Sequence, residues 1–123
     1  MKKVPSPKIA KKYDLEERTR KFGESIIRFC QRIPKTPITI PLITQLVKCG
    51  TSVGANYCEA DDAESRKDFK HKIGICKKES RESKRFIRMI IVAVPELKKE
   101  AELLWQEAKE LNLIFNSIFI KLK

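Results

Sequence analysis

Features that mark several common classes of protein are missing from this 123-residue sequence. No stretch of about 18 apolar residues is present, so we expect no segment that spans a membrane. Neither the Walker lysine pattern nor G-x-G-x-x-G occurs, which argues against a phosphate-binding glycine loop. No C-x-x-C pair occurs and the one histidine, His71, is not at a ligand spacing from any cysteine, so we predict no metal and no cofactor. Reduced, buried thiols are expected at Cys30, Cys49, Cys58 and Cys76.

The alternating apolar pattern of a β-strand is also missing, and four segments show helical spacing instead. We expect helices from Asp14 to Arg32, from Pro41 to Ala60, from a Ser65 cap to Val94, and from Pro95 to the end of the sequence. Apolar residues in the last two helices alternate at spacings of four and three, typical of antiparallel helices with a slight supercoil. The sequence therefore predicts an all-α fold, an antiparallel up-down-up-down four-helix bundle over residues 13–123.

Small residues form a strip in the second helix, at Gly50, Ser52, Gly54 and Ala55. Each glycine costs about 1 kcal/mol relative to alanine inside a helix, so the strip needs a structural reason. Close approach of a neighbouring helix is the interpretation we prefer, because no ligand-loop motif accompanies the glycines.

Positive charge is concentrated in two parts of a chain whose formal net charge is +11. Residues 1–12 carry five lysines and no acid, and we predict a flexible basic arm there. Residues 66–88 hold ten bases and three acids, a net charge of +7 (10 − 3), which leaves −1 (11 − 12) for the remaining residues. Such a concentration favours a polyanionic partner.

Six of these bases recur at spacings of three, four and seven on the side of the third helix opposite its apolar stripe, and Lys78 and Arg85 widen the row. The predicted nucleic-acid-binding residues are Lys67, Lys70, Lys77, Lys78, Arg81, Lys84, Arg85 and Arg88. About 21 helical residues rise about 31 Å, long enough to follow several phosphates. Like charges four residues apart destabilise a helix by a few tenths of a kcal/mol, which a bound polyanion would offset. A solvated face with counter-ions is the other interpretation.

Two expectations concern packing. The fourth helix carries more apolar surface than one stripe buries, which predicts self-association through Ile114, Ile118 and Phe119 or through the small-residue strip. The carboxylates of Glu79 and Glu82 are expected to pair with cations of neighbouring helices, at Arg18, Arg28 or Lys48.

Short motifs occur along the chain in a characteristic order. They are Arg18-Thr19 with Phe22 and Phe29, Ile33-Pro34-Lys35-Thr36, Gly50 to Tyr57 with Glu59-Ala60, Asp68-Phe69, Lys78-Glu79 with Glu82, Glu107-Ala108 with Glu110-Leu111, and Ser117-Ile118. Together they resemble a bacterial four-helix bundle family first known from proteins encoded within intervening sequences of 23S rRNA genes. The resemblance implies a homopentameric barrel with a basic surface and no catalytic residues. A more distant similarity, to accessory variability determinant proteins of diversity-generating retroelements, implies nucleic acid and a reverse transcriptase as partners.

Two functions remain open from the sequence. The first is non-enzymatic binding of RNA or DNA, directed at phosphates and largely independent of base sequence, as an accessory factor to an enzyme such as a reverse transcriptase. The alternative is an oligomeric adaptor or scaffold that binds another protein through the basic face. Tyr13 is the one aromatic expected to be exposed, which argues against base stacking. Membrane-surface binding is disfavoured, because the basic helix lacks an apolar face to insert, and a cytoplasmic location is the default.

Overall fold

Four α-helices make up nearly all of the computed structural model, which describes residues 14–122. The helices are α1 (Leu15–Gln31), α2 (Thr39–Asp61), α3 (Arg66–Ala93) and α4 (Lys98–Lys121), and a 3₁₀ turn at Pro95–Leu97 leads into α4. No strand occurs among residues 14–122, so the all-α prediction is confirmed. The predicted basic arm, residues 1–12, and Tyr13 lie outside the described residues.

Contacts between helices show that each neighbouring pair runs antiparallel. Gly50 of α2 lies against Ile26 of α1. Four residues later in α2, Gly54 lies against Thr19, which is seven residues earlier in α1. The same reversal links α2 to α3, where Glu59 contacts Lys72 and Cys49 contacts Ser83. It links α3 to α4, where Gly74 lies against Phe119 and Ser80 contacts Asn112. It also links the α1 end of the bundle to α4, where Arg18 contacts Glu107 and Arg32 contacts Glu100. The helices therefore follow one another around a ring, which is the layout of an up-down-up-down bundle.

The core lies along the stripes that the sequence spacing predicts. The buried seam residues of α3 are Phe69, Ile73, Cys76, Ser80, Ser83, Ile87 and Ile90, and those of α4 are Ala101, Ala108, Leu111, Phe115 and Ile118. The Ser80 hydroxyl donates to the carbonyl oxygen of Cys76 at 2.9 Å, and the Ser83 hydroxyl donates to that of Glu79 at 2.8 Å. Both buried hydroxyls therefore satisfy their hydrogen bonds within α3.

Helix α2 begins at Thr39, two residues before Pro41, near which the sequence predicts its start, and two threonines bond to each other's backbone there. The Thr36 hydroxyl accepts hydrogen bonds from the backbone N–H of Ile38 and Thr39, at 3.2 and 3.1 Å. In return, the Thr39 hydroxyl accepts the N–H of Thr36 at 2.9 Å. This reciprocal pair resembles a capping box at the start of α2. Pro37 lies between the two threonines, ahead of Thr39, where its missing N–H costs no hydrogen bond of the helix.

The small-residue strip of α2 is a helix crossing, as predicted. A Cβ added at Gly50 would lie 2.9 Å from Cγ1 of Ile26, and one added at Gly54 would lie 3.2 Å from the Thr19 hydroxyl oxygen. Alanine at either position would therefore crowd α1, and glycine lets the two backbones approach. Gly50 and Gly54 thus face α1, whereas Ala55 of the same strip is exposed, so self-association through the strip stays a prediction.

Three of the four thiols follow the prediction. Cys30, Cys49 and Cys76 are buried, and burial raises the pKa of Cys30 to about 11 and that of Cys76 to about 12. Cys58 is exposed, so the expectation of a buried thiol is wrong there. It lies one position after Tyr57, a core residue of α2, and a step of one turns a helical side chain by about 100°.

The apolar surface of α4 is distributed differently from the prediction. Ile118 belongs to the core, and Ile114 and Phe119 are half-buried against it. The exposed apolar side chains of α4 are Leu103, Leu113 and Ile120. Self-association through Ile118 is therefore ruled out by burial, and the oligomeric state stays a prediction.

Candidate functional site

Ion pairs concentrate on α1 and the part of α4 beside it. Nε and Nη2 of Arg18 contact Glu107 at 2.7 and 2.8 Å, and Nη2 also contacts Glu110 at 2.7 Å. The hydrogen bonds to Glu107 raise the pKa of Arg18, while hydrogen bonds from Gln106 and then Arg18 lower the pKa of Glu110. The expectation that Arg18 pairs with Glu79 or Glu82 is wrong, because α1 lies beside α2 and α4 rather than α3.

The eight predicted binding residues form one face of α3, along the groove between α3 and α4. Lys67, Lys78, Arg81, Arg85 and Arg88 are exposed. Lys70, Lys77 and Lys84 are half-buried, and each lies over an aromatic ring of α4. No ion pair involves any of the eight within residues 14–122.

Two of the half-buried lysines lie over an aromatic ring of α4. Nζ of Lys70 is 5.0 Å from the centre of the Phe119 ring, and Nζ of Lys77 is 4.8 Å from it. The ring lies across α3 at Gly74, where an added Cβ would be 3.1 Å from Cε1 of Phe119. Gly74 thus leaves room for the ring, and the ring attracts both ammonium groups through its negative face.

A second ring, that of Trp105, holds three cations. Cζ of Arg88 is 4.5 Å from the centre of the ring, and Nζ of Lys84 is 5.9 Å from it. From α4 itself, Nζ of Lys109 is 5.6 Å from the same centre. Lys109 is therefore a member of this basic cluster that the sequence prediction, confined to α3, did not include.

Asn112 fixes the register of α3 against α4 between the two rings. Its amide donates to the Lys77 carbonyl oxygen at 2.8 Å and to the Ser80 hydroxyl at 3.3 Å. Trp105, Asn112 and Phe119 follow one another at intervals of seven, so all three lie on the same side of α4. The two rings are thus about 21 Å apart along the helix, each beneath its own group of cations.

Beside Phe119 the basic face forms an open groove. Its lining is mostly cationic, with one acid, and consists of Gly74, Lys77, Lys78, Arg81, Glu82, Arg85 and Phe119. Unpaired ammonium and guanidinium groups along a groove suit a chain of phosphates better than a single small anion. Within residues 14–122 no group of three or more His, Cys, Asp or Glu side chains could hold a metal ion.

These features define a class of protein: a small antiparallel four-helix bundle with an unpaired basic face on one helix. Residues 11–117 match the family described as 23S rRNA-intervening sequence protein, and the chain belongs to that family. The sequence-based resemblance is therefore confirmed at the level of the family.

A solved structure has the same fold. It is the crystal structure of a protein with unknown function from the S23 ribosomal protein family of Bacteroides thetaiotaomicron VPI-5482, with a TM-score of 0.76 and 25% identity. The match covers 85% of this chain and 97% of that chain. No curated protein matches the sequence. Among the helices of residues 14–122, none has the length and apolarity needed to cross a membrane.

Proposed function

We propose that this protein binds RNA or DNA without catalysing a reaction, through phosphate contacts along the α3–α4 groove and with little dependence on base sequence. The observation that supports it most directly is that none of the eight α3 cations has a carboxylate partner within residues 14–122. A cation that pairs inside the protein must lose its partner before it binds phosphate, and these eight have none to lose.

The groove has the length that phosphate binding requires. Lys67 and Arg88 lie near its two ends, and 21 residues separate them, which corresponds to about 31 Å of helix. Duplex DNA carries one charge per about 1.7 Å of axis, so several phosphates fall within reach of one α3. Assembly into the homopentamer that the family resemblance implies would add the positive electrostatic fields of several such helices.

The test reverses four cations of the face at once, in a variant carrying Lys77→Glu, Arg81→Glu, Lys84→Glu and Arg88→Glu. We expect the variant to lose binding to RNA and DNA in fluorescence anisotropy while circular dichroism shows an unchanged helical content. For the parent protein on duplex DNA, the logarithm of affinity should fall linearly with the logarithm of salt concentration, with a slope near −0.9 per phosphate contacted.

A matched control variant distinguishes binding by the basic face from attraction by the net charge of the protein. The control carries glutamate at four exposed positions outside α3, namely Arg28, Lys48, Lys99 and Lys121. It lowers the net charge by the same eight units, from +11 to +3 (11 − 8). We expect this control to retain most of the affinity. Equal loss in both variants would show a field effect without a site. Retained binding in the α3 variant would place the nucleic acid elsewhere and favour the adaptor function.

A further inference from the structure

We propose that Trp105 and Phe119 are stacking platforms for unpaired bases, so that the groove prefers single-stranded RNA or DNA to duplex. This inference rests on the proposed function and names the form of nucleic acid that the same site takes. Aromatic side chains beside a phosphate-binding groove are the combination by which proteins hold single strands, because every base has a face that stacks.

Both rings are placed to accept a base. Each is half-buried, with one part packed against the core and the remainder at the surface of the groove. Ends of long side chains lie over the rings, Lys70 and Lys77 over Phe119 and Arg88, Lys84 and Lys109 over Trp105. Such flexible side chains can change rotamer to uncover a ring face.

Binding would exchange these cations for a base. An exposed contact between a cation and a ring changes an equilibrium by about twofold to fivefold, whereas stacking of a base on a ring is worth roughly fivefold to a hundredfold. The displaced ammonium and guanidinium groups would then meet the phosphates that flank the stacked base. Three cations around Trp105 repel one another, so a phosphate there also relieves repulsion.

Duplex nucleic acid would not use the rings. Its bases are stacked on one another and present only their edges in the grooves, so a flat ring on the protein finds no free base face. Phosphate contacts remain available to both forms. Substitution of the rings should therefore change the ratio of single-strand to duplex affinity, and substitution of the cations should lower both affinities together.

The test compares Trp105→Leu and Phe119→Leu with the parent protein on oligonucleotides longer than the about 21 Å between the rings. Leucine keeps an apolar contact beneath the lysine stems but offers no face to stack on. Each variant should lose roughly fivefold or more in affinity for single-stranded thymidine or uridine oligomers, and less than about twofold for a duplex of equal length. Leu103→Ala, which removes an exposed apolar side chain elsewhere on α4, should change neither.

Trp105 also reports its own environment, because it is the single tryptophan of the chain. Its fluorescence should be quenched by the single strand and stay nearly unchanged with duplex. Phe119→Leu should retain that quenching. Stacking on either RNA or DNA satisfies the proposal, and a deoxyuridine oligomer compared with a uridine oligomer of equal length shows which sugar is preferred.

The outcomes separate this inference from the proposed function. If the parent protein binds neither form, the proposed function fails, and this inference fails with it. If it binds both forms and the leucine variants keep their single-strand affinity, only the stacking inference is wrong. Equal losses on single strand and duplex would also overturn stacking, because they would mean that the rings only position the lysines.

Discussion

The two opposite faces of the bundle are closed in different ways. At the α1–α2 face, Gly50 and Gly54 allow the helices to meet closely. At the α3–α4 face, the large rings of Trp105 and Phe119 lie between the helices and are covered by cations. One face is sealed by close contact, whereas the other keeps long, movable side chains at its surface.

The pairing of cations also differs between α1 and α3. On α1, Arg18, Arg20 and Lys21 all contact carboxylates. On α3, Lys72 pairs with Glu59 of α2, but the eight cations of the basic face have no such partner within residues 14–122. Arg18 therefore links α1 to α4, whereas Arg20 and Lys21 pair with acids within α1. These three cations already have carboxylate partners, and within the described residues the cations of the basic face do not.

Among substitutions that test the contrast between the α1–α2 and α3–α4 faces, the largest change in the free energy of unfolding is expected at Gly50. Alanine there would gain about 1 kcal/mol of helix propensity but would place a Cβ 2.9 and 3.0 Å from two carbons of Ile26, which is fully buried. Overpacking of this kind costs about 1–3 kcal/mol, so after subtraction of the propensity gain Gly50→Ala should lower the free energy of unfolding by up to about 2 kcal/mol. Urea denaturation measures it, and nucleic-acid binding should be unchanged.

Gly23→Ala is the matched control for that substitution. A Cβ at Gly23 would lie 3.6 Å from the nearest atom, an ordinary contact, so the propensity gain should appear as stabilisation of about 0.5–1 kcal/mol. If both variants are equally stable, close packing does not explain the glycines of α2.

The seams of α3 and α4 and the start of α2 show how far the sequence predicts this fold. Apolar spacing predicted the seams of α3 and α4, because a repeat of four and three places residues on one side of any helix. The start of α2 lies two residues before the predicted position, where Thr36 and Thr39 bond to each other's backbone and threonine takes the place that glutamate usually holds.

A second prediction concerns Arg18, which joins α1 to α4. Its side chain contacts Glu107 through two nitrogens and Glu110 through one of them, in a partly exposed position. Arg18→Gln should lower the free energy of unfolding by about 1 kcal/mol, reduced from the larger value of a buried pair by solvent screening. Thermal denaturation at low and high salt measures the loss, which should shrink as salt rises. A stability equal to that of the parent would show that the pair contributes nothing.

The candidate site was predicted in part. Charge counting finds the cations of α3, because their spacing alone places them on one face. Neither Trp105 nor Phe119 was predicted as part of this site, and Phe119 was assigned to a self-association surface. Each ring follows a seam residue, Leu104 or Ile118, and a linear stripe does not tell a core ring from a ring at its edge. The antiparallel register that Asn112 fixes is what brings cations of α3 over these rings, and no single helix contains that information.

The smallest expected effect compares one substitution on two helices. Arg81 of α3 has like charges at both i±3 and i±4, namely Lys77, Lys78, Lys84 and Arg85. Arg20 of α1 instead contacts Glu17 at 2.9 Å and Glu24 at 2.8 Å. Pairs at these spacings change helix stability by about 0.2–0.5 kcal/mol, with the sign set by the charges.

Glutamine at the two positions should therefore act in opposite directions. At low salt Arg81→Gln should raise the free energy of unfolding by about 0.5 kcal/mol, and Arg20→Gln should lower it by a similar amount. Both effects should fade near 1 M salt, where the screening length is about 3 Å. Paired urea titrations at two salt concentrations resolve the difference between the variants better than either value alone. If Arg81→Gln destabilises the protein as Arg20→Gln does, the α3 cations have partners inside the protein, and the contrast between the two faces does not hold in solution.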